Sequence, residues 1–176
     1  MNSAATLAWQ PPIALRITRD GSIVPAAPIE SIPPVPGMYL FARSRNSRLE
    51  PLYVGLASRS LRQRFVQHLR SPRMYEGLRV ARGGKRFFGY AELTGVVGDF
   101  RQVLGSAERE LIRLATVSGF ATLNTHQKRL TPDLASDRCT FSHEGFSELW
   151  WWSPVEVTAA LKPLRRNRRF VGPDSR

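Results

Sequence analysis

The stretch Gly37-Met38-Tyr39-Leu40-Phe41-Ala42-Arg43, followed by Ser44-Arg45-Asn46-Ser47-Arg48 and then by Pro51-Leu52-Tyr53-Val54-Gly55, decides how the chain is read. Two apolar, β-prone runs flank a polar turn, and that order predicts an antiparallel hairpin. Just downstream, Leu61, Phe65 and Leu69 recur at i, i+4 and i+8 and so share one helical face, with Ser58 or Ser60 able to cap the helix. Pro72 is expected to end it. Residues 73–86 mix Gly77, Gly83 and Gly84 with charge and read as a mobile loop. Residues 86–93 (RFFGYAEL) form a third strand, which Gly95 and Gly98 break. A second helix is predicted over 107–118, capped by Ser106 and stopped by Gly119.

Outward from this centre the chain changes character. Pro11, Pro12, Pro25, Pro28, Pro33, Pro34 and Pro36 prevent a long helix upstream and disfavour a central strand. A short strand over 13–19 can turn at Asp20-Gly21 into 22–24, and residues 1–36 read as a wrapping extension. Downstream, residues 125–141 are polar loop. Trp150, Trp151 and Trp152 follow, and three adjacent indoles cannot all point one way, so at least one is expected in the core. A short helix over 154–161, capped by Ser153, precedes an Arg-rich tail.

The chain has 176 residues, 42% hydrophobic and 23% charged, which is the composition of a globular domain able to bury a core. The single Cys139 excludes an intrachain disulfide and a cysteine-based zinc site. No apolar run is long enough to span a membrane, and residues 1–10 lack a secretory pattern, so a cytoplasmic location is expected. The net charge is +12, and 23 of the 26 basic residues are Arg, whose planar fork fits phosphate oxygens. The charge is concentrated. Residues 59–86 hold nine basic residues and one acid, Glu76, and residues 161–176 hold six against Asp174. A field of this kind favours nucleic acid over a membrane surface, since no long amphipathic apolar stripe accompanies it. Arg59, Arg62, Arg70, Arg73, Lys85 and Arg86, with Arg165, Arg166, Arg168 and Arg169 of the tail, are the expected phosphate contacts.

Five residues stand out chemically. Glu108 lies three, four and seven positions before Leu111, Ile112 and Ala115, on the side of the predicted helix that faces the core, whereas Glu110 points elsewhere. A carboxylate there is costly unless it is paired or binds a cation, although a helix N-terminus also favours an acid. Arg64 and His68 are i, i+4 neighbours beside the apolar face of their helix. Tyr39 and Tyr53 stand on the two hairpin strands. Singly, each has an ordinary structural role. Together they are the parts for metal-assisted phosphodiester hydrolysis. A carboxylate holds a hard divalent cation, an Arg stabilises transition-state charge, and a Tyr or His orients or deprotonates water.

The order of these residues resembles the GIY-YIG nuclease family. Gly37-Met38-Tyr39 and Tyr53-Val54-Gly55 resemble its paired tripeptides. Ser60 to His68 (SLRQRFVQH) resembles its L-R-x-R-hydrophobic-x-x-H helix, Glu108 to Ile112 (ERELI) its E-x-x-L-I helix, and Thr122-Leu123-Asn124 its terminal Asn segment. The resemblance implies an α+β fold, a small three-stranded antiparallel sheet flanked by helices. A nuclease domain would span 35–126, between a Pro-rich extension (1–34) and a Trp- and Arg-rich one (127–176). It implies an endonuclease acting on DNA, with RNA or catalytically weak nucleic-acid binding as alternatives. Tyr39, Tyr53, Arg64, His68 and Glu108 would be catalytic, Glu108 would hold one Mg²⁺ or Mn²⁺, and Gly37, Gly55 and Asn124 would support the site. Family members often carry Lys directly after the second tripeptide. That position is Leu56 here, so a phenol-activating cation would come from Arg59 or Arg62, or be absent.

Overall fold

The computed structural model describes residues 3–120, 123–124, 139–146 and 150. In chain order the elements are β1 (Ser3–Trp9), β2 (Ile13–Ile17), β3 (Ile23–Pro25), β4 (Gly37–Arg45), β5 (Arg48–Ala57), α1 (Leu61–Leu69), α2 (Pro72–Val80), β6 (Arg86–Val97), α3 (Phe100–Val117) and β7 (Cys139–Gly145), with a 3₁₀ turn at Ile29–Ser31. The fold is α+β, as expected.

The expected three antiparallel strands are β5, β4 and β6, paired in that order. The sheet does not stop there. Among the described residues it has seven strands, and this corrects the small three-stranded sheet. β4 covers one edge of β6, and β1 and β2 together cover the other. They behave as one strand interrupted at Gln10-Pro11-Pro12. The Gln10 N–H still donates to the Tyr90 carbonyl at 3.0 Å, and the prolines, which lack that donor, fall at the break. β3 pairs with β2, and β7 pairs in parallel with β1. β2 and β3 are the strand expected over 13–19 and its return after Asp20-Gly21, while β1 was not expected, so the stretch read as a wrapping extension contributes three strands to the sheet. β1 went unread because Ser-Ala-Ala-Thr-Leu-Ala-Trp is poor in β-branched residues.

Two helices also differ from expectation. Pro72 does not only close α1. It opens α2 at the first helical position, where its missing N–H costs nothing, and the Ser71 hydroxyl accepts from the Met74 N–H at 3.3 Å. Most of the presumed loop over 73–86 is thus helix. α3 begins at Phe100, because Asp99 caps it by accepting from the Gln102 N–H at 2.9 Å. Ser106, read as the cap, lies in its interior.

Strand alternation divides the core in two. One face of the sheet sets Met38, Leu40, Ala42, Val54 and Ala91 against the stripe Leu104, Ala107, Leu111, Ile112 and Ala115 of α3. Trp150 packs in this layer over Gly89, where a Cβ would run into its ring. Trp151 and Trp152 lie outside the described residues. The other face sets Tyr39, Phe41, Phe88 and Tyr90 against Leu61, Phe65, Met74 and Leu78 of α1 and α2. Among the described residues, no helix is long and apolar enough to cross a membrane.

Candidate active site

The two tripeptide runs meet because β4 and β5 pair in register. Tyr39 stands opposite Gly55 and Phe41 opposite Tyr53. Leu52 is the extra residue of a bulge between the Phe41–Tyr53 and Ala42–Pro51 pairs. Gly55 has no side chain, and the Tyr39 ring occupies that space; a Cβ at 55 would collide with the phenol. A Cβ at Gly37 would strike the Ala91 carbonyl and sit 2.8 Å from the Leu61 side chain, so this glycine lets the first turn of α1 close onto the sheet. Leu61 N–H donates to the Val35 carbonyl at 2.8 Å and fixes that closure.

α1 then presents Arg64 and His68, one turn apart, to the Tyr39 hydroxyl. Arg64 Nε lies 3.2 Å and His68 Nε2 2.7 Å from Tyr39 Oη. A guanidinium can only donate, so Arg64 donates to the phenol oxygen. In the 2.7 Å bond to His68 Nε2 the phenol donates when the imidazole carries its proton on Nδ1, and the imidazole donates in the other tautomer. Tyr53 completes the group, its ring 6.1 Å from that of Tyr39 and 5.4 Å from that of His68. Burial pushes the Tyr39 phenol up, Tyr53 adds to the rise, and Arg64 opposes it. Burial, and then the Arg64 charge, lowers His68 to about 4. At neutral pH the imidazole is neutral and the phenol protonated. Arg64 is exposed; its Nη1 donates to Gln67 Oε1 at 3.1 Å, and Tyr39 and Tyr53 both favour its charged form. Sequence reasoning passed over Gln67, whose signal was its i+3 spacing from Arg64.

Asn124 is buried and acts on β5. Its Oδ1 accepts from the Val54 N–H at 3.0 Å and its Nδ2 donates to the Val54 carbonyl at 2.7 Å, so one side chain stands in for a neighbouring strand. Glu108 is half-buried beside Leu111 and Ile112 on α3, which packs chiefly on β5 from the face opposite Tyr39. Glu110 points away and pairs with Arg113 at 2.6 Å.

The predicted phosphate-binding residues divide. Arg62 donates to the Ile32 and Glu30 carbonyls at 2.7 and 2.9 Å, and Arg73 to the Leu123 carbonyl at 2.7 Å. Arg86 donates to the carbonyls of Leu78, Ala81, Gly83 and Gly84, capping the end of α2. These three staple backbone. Arg59, Arg70 and Lys85 are exposed. Arg165, Arg166, Arg168 and Arg169 lie outside the described residues. No family model, curated protein or solved structure matches this chain.

Proposed function

We propose that the chain is a metal-dependent endonuclease that hydrolyses DNA phosphodiester bonds by in-line attack of water. The carrying observation is the hydrogen-bonded chain from Arg64 Nε through Tyr39 Oη to His68 Nε2, seated over a glycine that no other residue can replace without displacing the phenol. The +12 charge supports a polyanionic substrate, and the single cysteine suits a reducing, cytoplasmic setting.

Among the described residues, no three His, Cys, Asp or Glu side chains form a metal cage. A single half-buried carboxylate ligand such as Glu108 suits Mg²⁺ or Mn²⁺, which keep most of their water shell, better than zinc, which takes three or four protein ligands. Glu108 would hold the cation, which when bound supplies a Lewis acid for charge on the phosphorane-like transition state. Arg64 neutralises the phosphate with its exposed guanidinium. Tyr39 orients the attacking water; its oxygen takes the water's proton as its own proton passes to His68 Nε2. Phosphate charge at Arg64 offsets the repulsion that depresses His68, so substrate makes the imidazole a better acceptor. Tyr53 walls the water on its second side.

The test is cleavage of plasmid and linear DNA by the purified chain with Mg²⁺ or Mn²⁺, with and without EDTA. Tyr39→Phe should lose about two to four orders of magnitude and Glu108→Gln more than about a hundredfold, with Glu110→Gln mild. Binding of DNA without EDTA-sensitive cleavage would instead identify a binding module, a reading favoured by the packing of α3, which carries Glu108, on the face of the sheet opposite Tyr39. Cleavage confined to RNA would move the substrate.

A further inference from the structure

The far end of the β4–β5 hairpin carries a concentration of charge that the site described above does not use. Residues 43–50 and 79–86 hold seven cations and one carboxylate, Glu50. Three of the seven serve the fold. Arg43 pairs with Glu50 at 2.9 Å and donates to the Arg82 carbonyl at 2.6 Å, Arg79 pairs with Glu76, and Arg86 caps α2. Arg45, Arg82 and Lys85 are exposed, and Arg45 is only 3.9 Å from a carboxylate. Arg82 and Lys85 side chains have no partner among the described residues.

The two halves of this tip are fastened together. Ser44 N–H donates to the Lys85 carbonyl at 2.8 Å, and Lys85 N–H donates to Ser44 Oγ at 3.0 Å. Gly84, at φ +72, lies against the Ser44 carbonyl, where a Cβ would collide. The tip also costs stability. Asn46 and Ser47 take φ of 48 and 63 in the two-residue turn, and Arg45 is registered opposite Arg48, a like-charge pair. Strain and like charge kept together on an exposed, rigid tip suit an anionic partner better than the fold itself.

We propose that this tip is a docking surface for the phosphate backbone of duplex DNA, carried by Arg45, Arg82 and Lys85. The inference deepens the nuclease reading and rests on it. Tyr39 and Arg45 are odd-numbered positions of β4 and share a face. Six residues of strand separate them by about 20 Å, which matches about six base pairs of duplex. Because the strand is continuous and the tip is fastened, that spacing is fixed, and a fixed spacing matches a stiff duplex better than a flexible single strand.

The experiment compares the full chain with an Arg45→Ala/Arg82→Ala/Lys85→Ala variant for binding to duplex DNA over a salt series in EDTA. The variant should flatten the log–log slope by about 2.7, at about 0.9 per phosphate contact. Shortening the duplex on one side to less than about six base pairs from the cut should weaken wild type and leave the variant nearly unaffected. An unchanged slope with wild-type cleavage intact overturns the docking surface alone. A slope change seen with duplex RNA but not with DNA overturns the DNA assignment. A wild-type chain that neither binds nor cleaves DNA overturns the nuclease reading and the surface with it.

Discussion

Tyr39 is a core residue with a polar tip, and its surroundings set a pH window for the whole fold. Burial lowers His68 to about 4, and lowers His143, which Glu110 partly restores, to about 4 as well. The unfolded histidines titrate near 6.5, so between those values the unfolded chain binds more protons. Their contribution is complete above about pH 6.5 and is lost as the pH falls toward 4. Tyr39 has the opposite sense. Its phenol is raised, so its contribution is complete below about pH 10 and is lost above it. We expect urea midpoints to be flat between about pH 7 and 9.5 and to fall on both sides. The acid limb should be less than about 1.4 kcal/mol per pH unit for each histidine, since neither ring is fully shielded from water. His68→Gln and His143→Gln should together flatten that limb. An acid limb identical to wild type would show that carboxylates, not these rings, produce it. The residues of this cluster were legible in the sequence because Tyr39, Tyr53, Arg64 and His68 stand at fixed spacings within local elements. The connection of Tyr39 to Gly55 was less so, since it depends on hairpin register.

At the scale of elements, the hairpin was readable because its partners are neighbours and its turn is polar. Its turn also yields a stability test. Ser47 occupies the left-handed region, which costs an L side chain about 1–2 kcal/mol. Ser47→Gly should stabilise the chain by a few tenths to about 1 kcal/mol, after glycine's own entropy is counted, as read by thermal unfolding. A loss of stability would mean that the Ser47 side chain holds the turn. Helix ends were less legible than helix faces. The apolar stripe of α1 was correctly read because it repeats. The start of α3 was misplaced by seven residues because Ser106 offers a cap as good in kind as Asp99, and only the buried Val103 and Leu104 show that the helix has already begun. α2 was missed because proline and glycine outweighed a short stripe of Met74 and Leu78.

For the whole molecule, local pattern was the limit. β1 gains its place from β6 and from β7, and Thr6 and Ser142, whose hydroxyls lie 2.7 Å apart, are 136 positions apart. No window of sequence contains both partners, so the seven-stranded sheet was beyond reach while its three central strands were not. Deleting residues 1–12 would uncover the β6 edge that β1 occupies and remove Trp9, a core indole only 2% exposed. We expect the deletion to lower the unfolding midpoint sharply and to promote association through the bared edge, measured by denaturation and light scattering. A monomeric variant with an unchanged midpoint would show that the central sheet is self-sufficient.

The parallel pairing of β1 with β7 has a mechanical consequence. Ser3 faces Cys139 at one end of the pair and Trp9 faces Gly145 at the other. Tension applied at residue 3 and at residue 145 would therefore slide the two strands along each other instead of peeling them apart. All seven register pairs would bear the force together. A pull further along the chain would first load Trp150, whose bridge to Leu49 ties it to the hairpin, and then reach the sheared pair.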